Sequence, residues 1–292
     1  MERENYYNEI IEAVREEIPD ILKDVVSVER FERMKTNDKK LTAICVRISE
    51  TGVAPTIYLD DFFEAYQEGV PAEKIAQHIL CMTAEAGLQV PEVESIPMDY
   101  EHIADKLTMQ MVEGERNKER LKDLIYRPIG NGMVMIPYIE VRRDENGGYW
   151  TEVSKAMAEG FGYDIDELLD RAFANLVENH VPAFFEMETG PTGAASGIED
   201  ANLMREDFKI EGTSPMYILT NHTKNGGASV LFYPGVQERI GELLGENYYV
   251  LPSCMHEIVI VPERADIPPE VLKLWVEEAN RTIIPPQEVL SD

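Results

Sequence analysis

The stretch Pro215 to Pro262, PMYILTNHTKNGGASVLFYPGVQERIGELLGENYYVLPSCMHEIVIVP, decides how the chain reads. Met216 to Leu219 is a short apolar run between Pro215 and the turn-forming Thr220-Asn221, the pattern of a buried strand. Asn225-Gly226-Gly227 breaks the chain again. Val230, Leu231 and Tyr233 then fall at near-helical spacing, and Pro234-Gly235 interrupts them. Val236, Ile240, Leu243 and Leu244 resume the spacing, so two consecutive helical pieces are expected, the second capped by Gly245. Tyr248 to Leu251 reads as a strand, Pro252-Ser253 as a corner, and Ile258 to Val261 as a strand covered on both faces. The expectation is strand, helix, helix, strand, strand.

The corner carries the densest set of reactive side chains, Ser253, Cys254, His256 and Glu257. If Cys254 opens a strand, it shares one face with His256 while Glu257 takes the other. Such a set holds a metal or a thiolate–imidazolium pair, or else it packs and hydrogen-bonds locally; the local reading is favoured. His256-Glu257 begins like the zinc helix HExxH, but Ile260 stands where the second His belongs, and the motif is rejected.

Outward from this stretch, 292 residues suffice for one large domain or two ordinary ones. The formal charge is -28, from 55 acidic against 27 basic residues. That composition argues against direct binding to nucleic-acid phosphates, which requires Lys and Arg. It fits a basic protein partner. No window has the apolar length to span a bilayer, and the charged start MERENYYNEI lacks the form of a secretion signal. Cys45, Cys81 and Cys254 have no framework spacing, so the cytoplasm is expected, with neither a metal nor another cofactor. The small-residue loop 188–197 lacks the Gly-Lys-Ser/Thr of a phosphate loop.

Towards the N-terminus, Tyr6, Ile10, Val14, Ile18 and Leu22 mark a helix over 2–23, kinked at Pro19. Strands over 25–34 and 41–48 flank a turn at Thr36-Asn37-Asp38. Asp60 is expected to cap a helix ending at Gly69, and another helix runs from Pro71 to Ala86. There His78 and Cys81 read as core or boundary positions. Residues 91–97 form an acidic connection. Residues 99–122 read as mostly helical on Ile103, Leu107 and Met111. The run 133–142 contains Pro137, which predicts an edge strand or a bulge. A hairpin turn at 146–148 follows, then helices over 153–160 and 164–178. Residues 181–187 read as a strand, 198–208 as a short acidic helix and 270–280 as a helix. The apolar tail after it reads as cut short or packed on the body.

The fold class expected is α+β, a mixed and mostly antiparallel sheet flanked by helices. Two similar lobes are envisaged, 1–122 and 123–292, or a single domain. Matching offsets after Gly69 and Gly162 raise the idea of a faint internal repeat.

The segments LTNHTKNGGASVLFYPGV, YYVLPSCMHEIVIVPE and EEANRTIIPPQEVLSD, with EGERNKERLKDLIYRP and GYDIDELLDRAFANL upstream, resemble one bacterial family of unknown function, DUF5688. The resemblance covers nearly the whole chain, and its most specific mark is LPS-x-x-HE at Leu251 to Glu257. It implies an intracellular bacterial setting, often beside mobile genetic elements, and it brings no established activity, cofactor or catalytic residue to carry over. Three functional readings stand. The favoured one is a non-enzymatic protein-interaction or accessory factor. The second is a hydrolase-like enzyme with Cys254 or Ser253 as nucleophile and His256 or His222 as base. The third is an acidic mimic of nucleic acid.

Overall fold

The computed structural model describes residues 2–48, 55–89, 99–144, 147–187, 201–210 and 214–292. The connection 91–97, the loop 188–197 and residue 146 of the expected hairpin turn lie outside them. The chain forms two compact units, residues 1–35 with 39–96, and residues 36–38 with 97–292. The lobe boundary expected between residues 122 and 123 falls inside the second unit. The architecture is α+β, and every strand pairing among the described residues is antiparallel.

In the first unit, helix α1 (Glu2–Glu17) buries Tyr6, Ile10 and Val14. It stops before Pro19, which cannot supply the next hydrogen bond, and Leu22 stays exposed. Strands β1 (Val26–Lys35) and β2 (Lys39–Ile48) pair from Val26↔Ile48 to Lys35↔Lys39, and β3 (Thr56–Tyr58) adds to β2. Asp60 does not cap the following helix. Its carboxylate takes the Tyr7 hydroxyl and the Thr42 N–H, each at 2.8 Å. Helix α2 (Phe63–Gln67) therefore begins only after a 3-10 turn. Helix α3 (Ala72–Gln89) buries Ile75 and Ile79, but His78 and Cys81 are exposed, contrary to expectation. Those two positions fall outside the stripe that Ile75 and Ile79 define.

The second unit opens with one helical turn, α4 (Tyr100–Ile103), and then departs from the expected long helix. Residues Leu107–Glu113 form strand β4, with Leu107, Met109 and Met111 buried on one face. Positions four apart lie together on a strand as well as on a helix, so Ile103, Leu107 and Met111 fit both periods. Strand β6 (Met133–Asp144) lies between β4 on one side and β5 (Arg127–Gly130) and β7 (Gly147–Glu152) on the other.

Pro137 thus sits inside the sheet. Its carbonyl accepts the Val153 N–H at 3.0 Å, so its backbone faces away from β4, at the gap where β5 has ended and β7 begins. The missing N–H is not needed there.

Helix α5 (Lys155–Phe161) is capped by Ser154 and closed by Gly162 in the left-handed region. Helix α6 (Ile165–Asn179) buries Leu168, Leu169, Ala172 and Leu176. The second sheet has the order β10–β11–β9–β8, comprising β8 (Pro182–Glu186), β9 (Tyr217–Asn221), β10 (Tyr248–Cys254) and β11 (Glu257–Pro262). All five residues of β9 are buried. In residues 201–208, the described part of the expected acidic helix, Ala201 is 3-10 helical, Asn202 bridges Ala183 and turns follow in place of an α-helix.

The first expected helical piece is a 3-10 segment, Gly227–Phe232. Pro234 has no N–H to offer the Val230 carbonyl; Tyr233 bonds it instead at 3.0 Å, one residue short of the α pattern. Helix α7 (Val236–Leu244) ends at Gly245 in the left-handed region, as the sequence predicts. Helix α8 (Pro269–Thr282) buries Leu272 and Val276. In the tail Val289 and Leu290 are buried, while Ile283 is 78% exposed. One core joins β4, β6, α6, the 3-10 segment and the second sheet through Met111, Met135, Leu168, Phe184, Tyr217, Val230 and Ile258.

Candidate functional site

The corner lies three residues later than the sequence suggests. Pro252 and Ser253 belong to β10, which bulges there, and the turn is Met255-His256 between paired Cys254 and Glu257. Cys254 and His256 therefore do not share a strand face. The side chain of Ser253 lies outside the described residues. Glu257 is exposed at the start of β11.

His256 is a clamp. Its Nδ1 accepts the Gly226 N–H at 3.1 Å. A backbone amide only donates, so Nδ1 is the acceptor and the neutral ring carries its proton on Nε2. Nε2 faces Glu288 Oε2 at 3.7 Å, too long for a direct hydrogen bond. The His256 carbonyl accepts the Thr220 hydroxyl at 2.7 Å, and the Met255 carbonyl accepts the Ala228 N–H at 3.2 Å. The loop 221–226 is tied in turn by Asn221. Its Oδ1 accepts the Thr223 and Asn225 N–H groups, and its Nδ2 donates to the Asn225 carbonyl. Gly227 is compulsory, because a Cβ there would lie 2.1 Å from Thr220 Oγ1 and 2.5 Å from the His256 carbonyl oxygen.

Cys254 is half-buried, and the His256 backbone N–H points at its sulfur at 3.4 Å. Burial pushes the thiol above its ordinary range, and the charges of Glu257 and Glu288 add to that, against partial relief from the backbone N–H groups of His256 and Glu257. The arrangement favours the neutral thiol, the opposite of what activates a cysteine nucleophile. His222 is exposed, donates its backbone N–H to the Val181 carbonyl at 2.9 Å, and has its ring centroid 6.0 Å from that of His180. Among the described residues no three His, Cys, Asp or Glu side chains are grouped as a metal site requires.

The other side of the clamped loop forms a cleft that the sequence does not announce. It holds about 250 Å³ and is lined by Thr108, Met109 and Gln110 of β4, Tyr138 of β6, Trp150 of β7, Leu176 and His180 at the end of α6, and Thr223, Asn225 and Gly226. Directly opposed pairs Thr108↔Tyr138 and Glu140↔Trp150 place Thr108, Tyr138 and Trp150 on one face of the sheet. Tyr138 is fixed from behind. Its hydroxyl accepts from Arg120 Nη2 at 2.6 Å, and Arg120 is itself buried and ion-paired with Glu152. Burial pushes the Tyr138 phenol up to about 12, the Arg120 charge offsetting part of the effect.

The edge of β4 that faces the cleft is occupied at both ends. The Met111 N–H donates to Ser229 Oγ at 3.0 Å, and the Leu107 carbonyl accepts from Asn175 Nδ2 at 2.9 Å. Backbone direction alternates along a strand, so Met109, between them, also turns its N–H and C=O away from β6. Neither group has a partner among the described residues.

No helix among the described residues is long and apolar enough to cross a membrane. Neither a curated protein nor a solved structure matches the chain. Residues 7–292 match the family of unknown function DUF5688, and the chain belongs to that family.

Proposed function

We propose that this member of the DUF5688 family works without turnover, as an accessory factor that binds a protein partner with a basic face. The observation that carries the reading is the commitment of His256 Nδ1 to the Gly226 N–H. The ring nitrogen that a hydrolase would use as base holds a loop in place, and the thiol beside it is raised by burial. Those two facts support binding over a Cys254/His256 hydrolase. The formal charge of -28 supports a partner of opposite sign over nucleic acid itself. A bacterial, cytoplasmic setting is part of the same proposal.

The test is affinity capture from the native host lysate at two salt concentrations, with bound protein and nucleic acid both quantified. A stoichiometric basic protein, released as salt rises, is the expected result. If that protein binds DNA and loses its DNA in the exchange, the acidic-mimic reading is the better one. Turnover of a thioester or amide substrate that disappears in Cys254→Ala would overturn the proposal.

A further inference from the structure

Strand β1 is the edge of the three-stranded sheet, and it is 10 residues long. The Thr42 N–H donates to Asp60 at 2.8 Å, so it points away from β1. Glu32 stands opposite Thr42, and in an antiparallel ladder the two residues of a pair either bond each other or both turn away. The N–H and C=O of Glu32 therefore face the outer edge. By alternation along the strand, so do those of Val28, Arg30 and Met34. None of these groups has a hydrogen-bond partner among the described residues.

An open edge of this length is a template for another strand, and its side chains specify which. In a closed dimer, two copies of β1 would pair antiparallel about an axis normal to the sheet. Residues opposite each other then share a face, so the axis passes through one residue paired with itself. Centred on Glu29, Arg30, Glu32 or Arg33, the pairing sets like charges together. Centred on Phe31, it sets Arg30 against Glu32, Glu29 against Arg33 and Val28 against Met34 of the other copy, each pair occurring twice. The two Phe31 rings meet at the axis.

Glu29 and Arg33 are exposed and form no ion pair among the described residues; Arg33 lies over the Phe31 ring, 5.0 Å from its centroid. Arg30 is already held by Glu4 of α1 at 2.6 Å, so the Glu29–Arg33 pair is the one newly made. Net charge favours the same place. Residues 25–48 hold six basic against three acidic residues, the reverse of the whole chain, so two copies of charge -28 repel each other least here.

We propose that two copies of this chain join edge to edge through β1, antiparallel and centred on Phe31, so that their three-stranded sheets become one continuous sheet.

Sedimentation equilibrium of the full chain from about 1 µM to about 300 µM tests this. A monomer–dimer equilibrium is expected. Glu29→Lys sets like charges against Arg33 twice per dimer, and Arg33→Glu does the same against Glu29. Each variant alone is expected to dimerise at least about tenfold more weakly. Mixed together, the two variants restore opposite charges at both places, and a heterodimer of near-original affinity is expected. Thermal melts check that both fold. Amide exchange at Arg30 and Glu32 should slow as the concentration of the unaltered chain rises. A chain that stays monomeric throughout, dimerisation unchanged in both variants, or a mixture no better than either variant alone would overturn the proposal. Protection of Arg30 and Glu32 that comes only with a protein captured from the lysate would give the edge to that partner and overturn it too. Self-association is read on purified protein, so this proposal and the accessory-factor reading fail separately.

Discussion

A methyl group on Gly227 would overlap Thr220 Oγ1, the His256 carbonyl and, at 2.8 Å, the Asn221 nitrogen. Two of those three atoms are backbone and cannot swing away. Gly227→Ala should therefore destabilise the protein by about 1–3 kcal/mol or more, as overpacking does. A lower denaturant midpoint with unchanged slope in urea unfolding would show it; an unchanged midpoint would mean that the loop is not held as described. His256 supports a finer comparison. Asn in its place puts an oxygen acceptor near the position of Nδ1, whereas Ala leaves the Gly226 N–H without one. His256→Ala should cost about 1 kcal/mol, and His256→Asn clearly less, in the same unfolding measurement. Equal losses in the two variants would rule out the clamp.

At the scale of elements, the helices are set by local chemistry. Asp164 Oδ1 accepts the N–H groups of Asp166 and Glu167 at 2.9 and 3.1 Å, satisfying two donors that begin α6. Asp164→Ala should cost about 1 kcal/mol, within the 0.5–2 kcal/mol range of lost caps. Asp164→Ser should recover most of that loss, and failure to recover would point to charge at the helix start as the main effect. Strands depend on more than their own residues. β4 exists because β6 lies beside it from Leu107↔Ile139 to Glu113↔Met133, and because α6 and the 3-10 segment cover its buried face and occupy its outer edge.

At the scale of the whole molecule, buried phenols set an alkaline limit on stability. Burial holds Tyr6, Tyr138 and Tyr233 above the ordinary tyrosine value, and for Tyr138 the level is about 12. A group whose folded pKa exceeds its unfolded value stabilises fully below the unfolded value, about 10 for tyrosine. That contribution falls as pH rises from about 10 through the folded values. Phenolate absorbance and circular dichroism, followed together above pH 10, should show buried tyrosines ionising as the structure melts. Ordinary titration of all 13 tyrosines in a chain that keeps its native spectrum would contradict the burial described.

The sequence by itself determined the elements whose signal is local. The β1–β2 hairpin follows from two alternating runs around Asn37 and Asp38, both in the left-handed region. The stripes of α1 and α6, the stop at Gly245 and the buried apolar start of β9 follow in the same way, although β9 runs on through Thr220 and Asn221, which read as a turn. Family membership was legible too, because LPSCMHE and the segments around it are continuous in the chain. Tertiary structure alone decided β4, since spacing by four suits a helix and a strand equally and only the partner strand breaks the tie. It alone placed Pro137 inside a sheet, at the gap between two successive neighbours. It also decided what His256 does, because its partner Gly226 lies 30 residues away and hydrogen bonds are satisfied in space. The cleft was illegible for the same reason. Thr108, Trp150, His180 and Asn225 come from four separate parts of the chain, and no pattern in a linear sequence marks which strand edge is left open.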